Sequence, residues 1–137
     1  MFDLNRFIDA QNDDYLKAKG ELLKGRKESH WIWYIFPQIK GLGFSYYSEF
    51  YGLDGIKEAK AYYENEILRS RLIELCNILL NLKEKDIRNI MGYPDDLKLK
   101  SSMTIFYIAS KDEVFKKVLD KYYDSKLDEN TVELLNR

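Results

Sequence analysis

The chain of 137 residues is 45% hydrophobic and 33% charged, a balance typical of one folded domain and unlike that of disordered proteins. Its 22 lysines and arginines nearly equal its 23 acidic residues, and the net charge of -1 argues against a general nucleic-acid-binding protein, which carries a basic excess. The single cysteine, Cys76, excludes an intramolecular disulfide and a cysteine-based zinc site. No apolar run approaches the roughly 18 residues of a membrane span, and no signal peptide is recognisable, so we expect a cytoplasmic protein without a membrane partner.

Three helices are predicted in the first half of the chain. Asp3 is placed to cap a short helix, because its carboxylate can accept hydrogen bonds from the first backbone amides. A second helix begins at Asn12 or Asp13 and ends at Gly25, since glycine readily adopts the left-handed conformation found at helix ends. Asp54 marks the start of the third helix.

The second half of the chain is predicted to be helical almost throughout. Leucines recur at three- and four-residue steps over 66–82, a spacing that predicts a buried stripe. A short helix over 86–91 and a longer one over 94–109 follow. A capping box at Ser110–Glu113 starts the next helix, and Asp128 begins the last. Since no convincing pair of strands is present, the sequence predicts an all-α fold, a single compact domain over all 137 residues with about seven or eight helices, several of them short.

The segment from Arg26 to Gln38 differs from these regular helices, because it contains the only histidine, His30, and both tryptophans, Trp31 and Trp33. Two interpretations are open for the indoles: they fill the core, as aromatic side chains usually do, or they wall a ligand pocket. An imidazole titrates near neutral pH, so His30 is the candidate general acid–base or hydrogen-bond donor to an anion. A purely structural hydrogen bond is the alternative role for this side chain.

Gly41 and Gly43 follow this segment and either bring backbone amides close to a ligand or form a turn. The pair lacks the third glycine and the preceding strand of a dinucleotide-binding fingerprint, so no dinucleotide cofactor is predicted. A single histidine and a single cysteine also exclude a metal site built from several such ligands. The sequence therefore predicts neither a cofactor nor a metal.

A second polar cluster is predicted on the helix over 94–109. Lys98, Ser101 and Ser102 are spaced at i, i+3 and i+4, which places them on one helical face. An ammonium group and two hydroxyls together suit a phosphate or a carboxylate. The alternative is a contact between helices through the small serines, with the lysine exposed to solvent.

Several blocks of the sequence resemble those of one known family. The most specific are Ser29-His30-Trp31 and Phe36-Pro37-Gln38, and others are Leu4-Asn5-Arg6-Phe7, Gly25-Arg26-Lys27, Gly41-Leu42-Gly43, Pro94-Asp95-Asp96 and Ser101-Ser102-Met103-Thr104. They resemble the bacterial domain-of-unknown-function 1810 family, which is sometimes labelled "calpastatin". Eukaryotic calpastatin is a long disordered protease inhibitor, whereas this composition is that of a compact, aromatic-rich protein. The resemblance covers nearly the whole chain and implies an all-helical single domain with no established activity.

We expect the two polar segments to meet around a pocket for a small anionic ligand, a nucleotide or another phosphorylated metabolite. His30 is the candidate catalytic residue, although the sequence leaves open whether the protein is an enzyme. The candidate ligand-binding residues are Arg26, Lys27, Trp31, Trp33, Gln38, Lys98, Ser101 and Ser102. The alternative function is a protein-interaction or homo-oligomerising module without catalysis, in which the surplus tyrosines and tryptophans form an exposed patch.

Overall fold

Helices provide all of the regular secondary structure in the computed structural model, which describes residues 1–137. In chain order they are α1 (Asn5–Leu23), α2 (Ile32–Ile35), α3 (Tyr46–Phe50), α4 (Gly55–Glu64), α5 (Glu66–Asn81), α6 (Ile87–Met91), α7 (Asp95–Ser110), α8 (Glu113–Tyr122) and α9 (Glu129–Leu135). A single parallel bridge joins Ile39 to Leu53, and no sheet forms. No helix combines the length and the apolar character needed to cross a bilayer. The predicted all-α fold is confirmed.

Nine helices form where about seven or eight were predicted, and the difference lies in the first half of the chain. The two helices predicted before Gly25 are one continuous helix, α1. Gln11, at the expected break, is buried, and its amide donates to the Tyr34 carbonyl (2.8 Å) and the Tyr62 hydroxyl (2.9 Å), so the polar residue is satisfied within the helix. The one-turn helices α2 and α3 lie in the segment without helical periodicity, and the pattern therefore did not predict them.

The central helix of the fold is α7. All six residues of Ser101–Phe106 are buried, so this helix is covered on nearly all sides rather than along one stripe. Helices α4, α6, α8 and α9 pack around it, and α2 also contacts it. α1 packs against α5 and α2, and α5 packs against α8. One hydrophobic cluster of 26 buried residues joins these helices, so the chain is one compact domain.

The start of α8 differs from the predicted capping box. Ser110 is the last residue of α7, and Lys111 follows it with a left-handed φ of 60°, which ends the helix. Asp112 caps α8 instead, since its carboxylate accepts from the Val114 amide at 3.0 Å. Asp128 caps α9 as predicted.

The loop over 37–54, which carries α3, is closed at its base by backbone pairing. The Leu53 amide donates to the Gln38 carbonyl at 2.8 Å. Gly52 allows the loop to fold tightly on itself, because a Cβ at this position would lie 2.6 Å from the Ser48 carbonyl oxygen. The loop is therefore a packed unit although it contains little regular structure.

Arg6 of α1 fastens this loop to the body of the protein. Its Nε donates to the Phe50 carbonyl (2.8 Å), and its Nη2 donates to the Gly52 carbonyl (3.1 Å). Its Nη1 pairs with Glu58 Oε2 of α4 at 2.8 Å, and the Glu58 side chain is only 2% exposed. The same carboxylate accepts from the Asp54 amide at 2.7 Å. One buried ion pair thus joins α1, α4 and the loop.

We expect Arg6→Met to lower the free energy of unfolding by about 3 kcal/mol, because it leaves the buried Glu58 carboxylate without its charged partner. Urea denaturation followed by circular dichroism measures this loss. Arg137→Met is the matched control, since its pair with Glu133 is exposed and is worth less than about 0.5 kcal/mol. An equally small loss in both variants would contradict the role assigned to Arg6.

Candidate functional site

A cavity of ≈ 280 Å³ lies between the loop over 37–54, α7 and the start of α9. Four of the residues predicted from the sequence line it together: Trp33, Gln38, Lys98 and Ser101. The tryptophan-containing segment and the polar face of α7 therefore meet at one hollow.

Lys98 is the cavity cation whose position is best defined by contacts with neighbouring side chains. Its Nζ lies 4.0 Å from the centroid of the Trp33 ring, a cation–π geometry that fixes the ammonium against the indole face. Asp95, one helical turn earlier, approaches the same Nζ with Oδ1 at 3.3 Å. An ammonium has three N–H donors and only one faces Asp95, so donors remain for a ligand.

Several other donors of the cavity lining have no partner within the protein. The side-chain amides of Gln38 and Asn130, the indole N–H of Trp33 and the hydroxyl of Tyr51 donate to no protein acceptor. Burial raises the pKa of Tyr51, so its hydroxyl stays protonated and able to donate at neutral pH. The cavity therefore offers hydrogen-bond donors in excess of its internal needs.

The charged groups of the lining are two lysines and one aspartate. Lys100 lines the cavity beside Lys98 and forms no ion pair with a carboxylate. Asp128 is engaged as the α9 cap and accepts from the Thr131 amide (3.0 Å) and hydroxyl (2.7 Å). Both hydrogen bonds fall on Oδ2, and the carboxylate keeps its charge, so two lysines against one aspartate give the lining a formal charge of +1.

His30 and Arg26 lie outside the cavity. Both side chains are exposed, and neither forms a side-chain hydrogen bond or an ion pair. His30 therefore does not line the cavity with Lys98 and Ser101, the groups with which it was expected to act. These two candidates are corrected to surface positions at the junction between α1 and α2.

Three more residues that were expected to line the cavity have their side chains inside the protein instead: Trp31, Lys27 and Ser102. Trp31 is fully buried, and its Nε1 donates to Glu21 Oε1 at 2.9 Å. Lys27 Nζ lies against the Trp31 ring and pairs with Asp95 Oδ2 at 2.7 Å. Ser102 is fully buried, and its Oγ has no hydrogen-bond partner. Ser101 and Ser102 are about 100° apart around the helix, so one faces the cavity and the other faces the core.

Glu21 of α1 organises the segment before α2, a role that the sequence did not reveal. Its carboxylate accepts from the Ser29 hydroxyl (2.6 Å), from the Ser29 and Glu28 amides (2.9 and 2.8 Å) and from the Trp31 indole. Burial alone raises the pKa of Glu21, but these four hydrogen bonds to the charged form outweigh it and lower the pKa to about 2. The ionised carboxylate thus holds the backbone next to His30 in place.

Most of the cavity lining that sequence reasoning missed comes from loops. Leu42, Ser48 and Tyr51 belong to the loop over 37–54, and no periodic pattern identifies such residues. The sequence did offer a signal for Lys100, since it lies two residues from Lys98 in the same polar stretch. Asn130 reaches the site only through the tertiary packing of α9 against α7.

A family model described as "Protein of unknown function (DUF1810)" matches residues 1–135. The chain belongs to the DUF1810 family. The crystal structure of the conserved hypothetical protein Rv1873 from Mycobacterium tuberculosis is similar, with 42% sequence identity and a TM-score of 0.97 over 99% of this chain and 98% of that one. No curated protein matches the chain. Membership of DUF1810 confirms the resemblance carried by the sequence blocks, and it assigns no activity to the cavity.

We expect Glu21→Gln to lower the free energy of unfolding at neutral pH by about 2 kcal/mol, because hydrogen bonds to a charged acceptor are stronger than those to an amide. The pKa of Glu21 is about 2 in the folded protein and near 4.3 in an unfolded chain. Its stabilisation is therefore complete above about pH 4.3 and is lost as the pH falls towards 2. Urea denaturation across this range should show a smaller acid loss in Glu21→Gln than in the wild type.

Glu133→Gln is the control for this titration, since Glu133 is 65% exposed and pairs only with Arg137. Its acid dependence should follow that of the wild type. A Glu21→Gln variant that loses stability with acid as steeply as the wild type would show that the Glu21 carboxylate does not hold this segment.

Proposed function

We propose that the cavity binds a small anionic ligand, with a nucleotide or another phosphorylated metabolite as the expected class. The observation that supports it most strongly is the position of Lys98, whose ammonium is held over Trp33 at the cavity with free N–H donors. A second lysine, Lys100, and the unpartnered amides of Gln38 and Asn130 lie in the same lining. Charge-assisted hydrogen bonds from such groups are the usual means of holding phosphate.

The size of the cavity narrows the class of ligand. Its volume of ≈ 280 Å³ is slightly below the roughly 300–1,000 Å³ of small-molecule sites. A mononucleotide or a smaller phosphorylated compound fits this size better than a dinucleotide. Lys98 covers one face of the Trp33 ring, so that face is not free to stack on a base. Recognition is therefore expected to depend on the anionic group more than on a base.

The proposal is one of binding rather than catalysis. A role for His30 as acid–base gains no support from its exposed position outside the cavity. Cys76 lies fully buried in the core, and burial raises the pKa of its thiol, so it is not an activated nucleophile. The lysines and amides of the lining are donors that can bind an anion without further chemistry.

We expect inorganic phosphate and nucleoside monophosphates to raise the melting temperature of the wild type, because a ligand that binds only the folded state stabilises it. Lys98→Met should weaken this binding by about tenfold or more, since it removes a charge-assisted hydrogen bond. A thermal-shift titration at constant ionic strength measures both effects. A wild type that phosphate does not stabilise, or a Lys98→Met variant with unchanged affinity, would contradict the proposal.

Lys116→Met is the matched control for Lys98→Met. Lys116 is an exposed lysine of α8 that pairs with Asp120 at 3.0 Å, and it does not line the cavity. The two variants remove the same charge from the protein. An equal loss of phosphate affinity in both would indicate general electrostatic attraction rather than a site at Lys98.

Self-association is the second candidate function, and an exposed aromatic surface on the loop over 37–54 favours it. This surface, the α3 patch, consists of Phe44, Tyr46, Tyr47 and Phe50, whose exposed fractions are 93%, 70%, 53% and 42%. The Tyr46 and Phe50 rings are stacked, with their centroids 5.6 Å apart. Clustered exposed aromatic side chains are typical of protein interfaces.

If the α3 patch joins two copies of the chain, the mass measured by light scattering should rise with protein concentration. The double variant Phe44→Ser, Tyr46→Ser should abolish that rise, because it removes the two most exposed rings of the patch. The exposed apolar residue Leu16 of α1 offers a control, Leu16→Ser. A mass of one chain at every concentration would rule out this second function.

A further inference from the structure

Asp95, the first residue of α7, contacts two lysines that differ in their surroundings. Its Oδ2 lies 2.7 Å from Lys27 Nζ, and its Oδ1 lies 3.3 Å from Lys98 Nζ. The Lys27 side chain is 5% exposed, whereas that of Lys98 is 23% exposed and lines the cavity. Two positive charges therefore share one negative charge at the edge of the cavity.

Lys27 is held in place from several directions. Its backbone amide donates to the Ile90 carbonyl of α6 at 2.7 Å. Its ammonium donates to the Ser29 carbonyl and lies 4.8 Å from the centroid of the Trp31 ring. With Asp95 as a further partner, all the contacts of this ammonium lie inside the protein, and Lys27 does not line the cavity.

The negative charge of Asp95 is compensated mainly by Lys27, which lies on the core side of the carboxylate. The contact with Lys27 is the shorter of the two, and burial strengthens it because little water screens the charges. The N-terminus of α7 also favours a negative charge at this position. Lys98 contributes only the longer contact, and its ammonium lies over Trp33 at the cavity.

We propose that Lys27 neutralises Asp95 from behind and thereby leaves the charge of Lys98 free to bind the anionic group of the ligand. Lys27 is then a positioning residue, which acts through Asp95 and does not touch the ligand. The inference rests on the proposed function of the cavity, and it replaces the ligand contact expected for Lys27 from the sequence. It accounts for a lysine that is almost completely buried beside a site that attracts anions.

The proposal predicts opposite effects for the two partners. In Lys27→Met, Asp95 keeps its charge and pairs fully with Lys98, so phosphate affinity should fall by about tenfold. In Asp95→Asn, Lys98 is relieved of its internal partner, and phosphate should bind at least as tightly as in the wild type, by up to about threefold tighter. The double variant Lys27→Met, Asp95→Asn should return to within about threefold of the wild type.

The experiment is a titration with inorganic phosphate at constant ionic strength, observed through the indole N–H signal of Trp33 in NMR spectra. Trp33→Phe identifies that signal, since Trp31 gives the only other indole. Asp120→Asn is the matched control for Asp95→Asn, because Asp120 is an exposed aspartate of α8 that also pairs with a lysine. Denaturation of each variant checks that it is folded at the temperature of the titration.

Each outcome separates the two proposals. If phosphate does not shift the Trp33 signal of the wild type, the proposed function and this inference both fall. If the wild type binds and Lys98→Met does not, while Lys27→Met binds normally, the cavity site stands and the role of Lys27 is overturned. A purely structural role for the ion pair predicts weaker phosphate binding in both Lys27→Met and Asp95→Asn, whereas this inference predicts weaker binding in Lys27→Met alone. Should Lys27→Met fail to fold, weaker binding by Asp95→Asn than by Asp120→Asn would still overturn the inference.

Discussion

The buried ion pair between Arg6 and Glu58 is the interaction on which the candidate site depends. One wall of the cavity is the loop over 37–54, which has a single helical turn and one backbone bridge to hold its shape. Arg6 supplies the missing order, because its guanidinium binds two carbonyls of that loop while its charge is balanced by Glu58 on α4. A planar group with five donors suits this task, and a lysine would satisfy fewer acceptors. The geometry of the site is therefore fixed from α1 and α4, outside the site itself.

The distribution of charge around Asp95 explains how a chain with a net charge of -1 can present a positive cavity. The net charge of the chain is close to zero because acidic residues far from the cavity offset its lysines. Asp112, a helix cap, and Asp120, the surface partner of Lys116, are two of them. At the cavity, Lys98 and Lys100 outnumber Asp128, and the charge of the nearby Asp95 is shared between Lys27 and Lys98. A local anion site thus requires no basic excess over the whole chain, and the balanced composition argues only against extended polyanions such as nucleic acids.

The helical class was predictable because apolar residues recur at helical spacing in α5 and α8. The start of α9 was predictable from Asp128, a residue type that favours helix caps. The site was harder to predict, because neighbouring residues of the same type point in different directions, one into the core and the other towards the cavity. Trp31 and Trp33 are two residues apart at α2, and the first is buried in the core while the second reaches the cavity. Ser101 and Ser102 are divided in the same way around α7. Such choices depend on how α2 and α7 pack together, and that information is not local in the sequence.

Helix α7 carries both the apolar residues at the centre of the core and several polar residues, and the polar residues oppose the stability of the core. Its apolar residues form the centre of the core, and an entirely apolar helix would be more stable there. Instead, the two buried side-chain atoms that lack a hydrogen-bond partner, Asp96 Oδ1 and Ser102 Oγ, both belong to this helix. Each such atom costs about 1–3 kcal/mol. On the cavity side, the Ser101 hydroxyl donates to the Leu97 carbonyl at 3.2 Å, and Lys98 adds an ammonium that water or a ligand can satisfy. The polar residues of α7 therefore lower the stability of the core, and those on the cavity side are the ones that the proposed anion site would use.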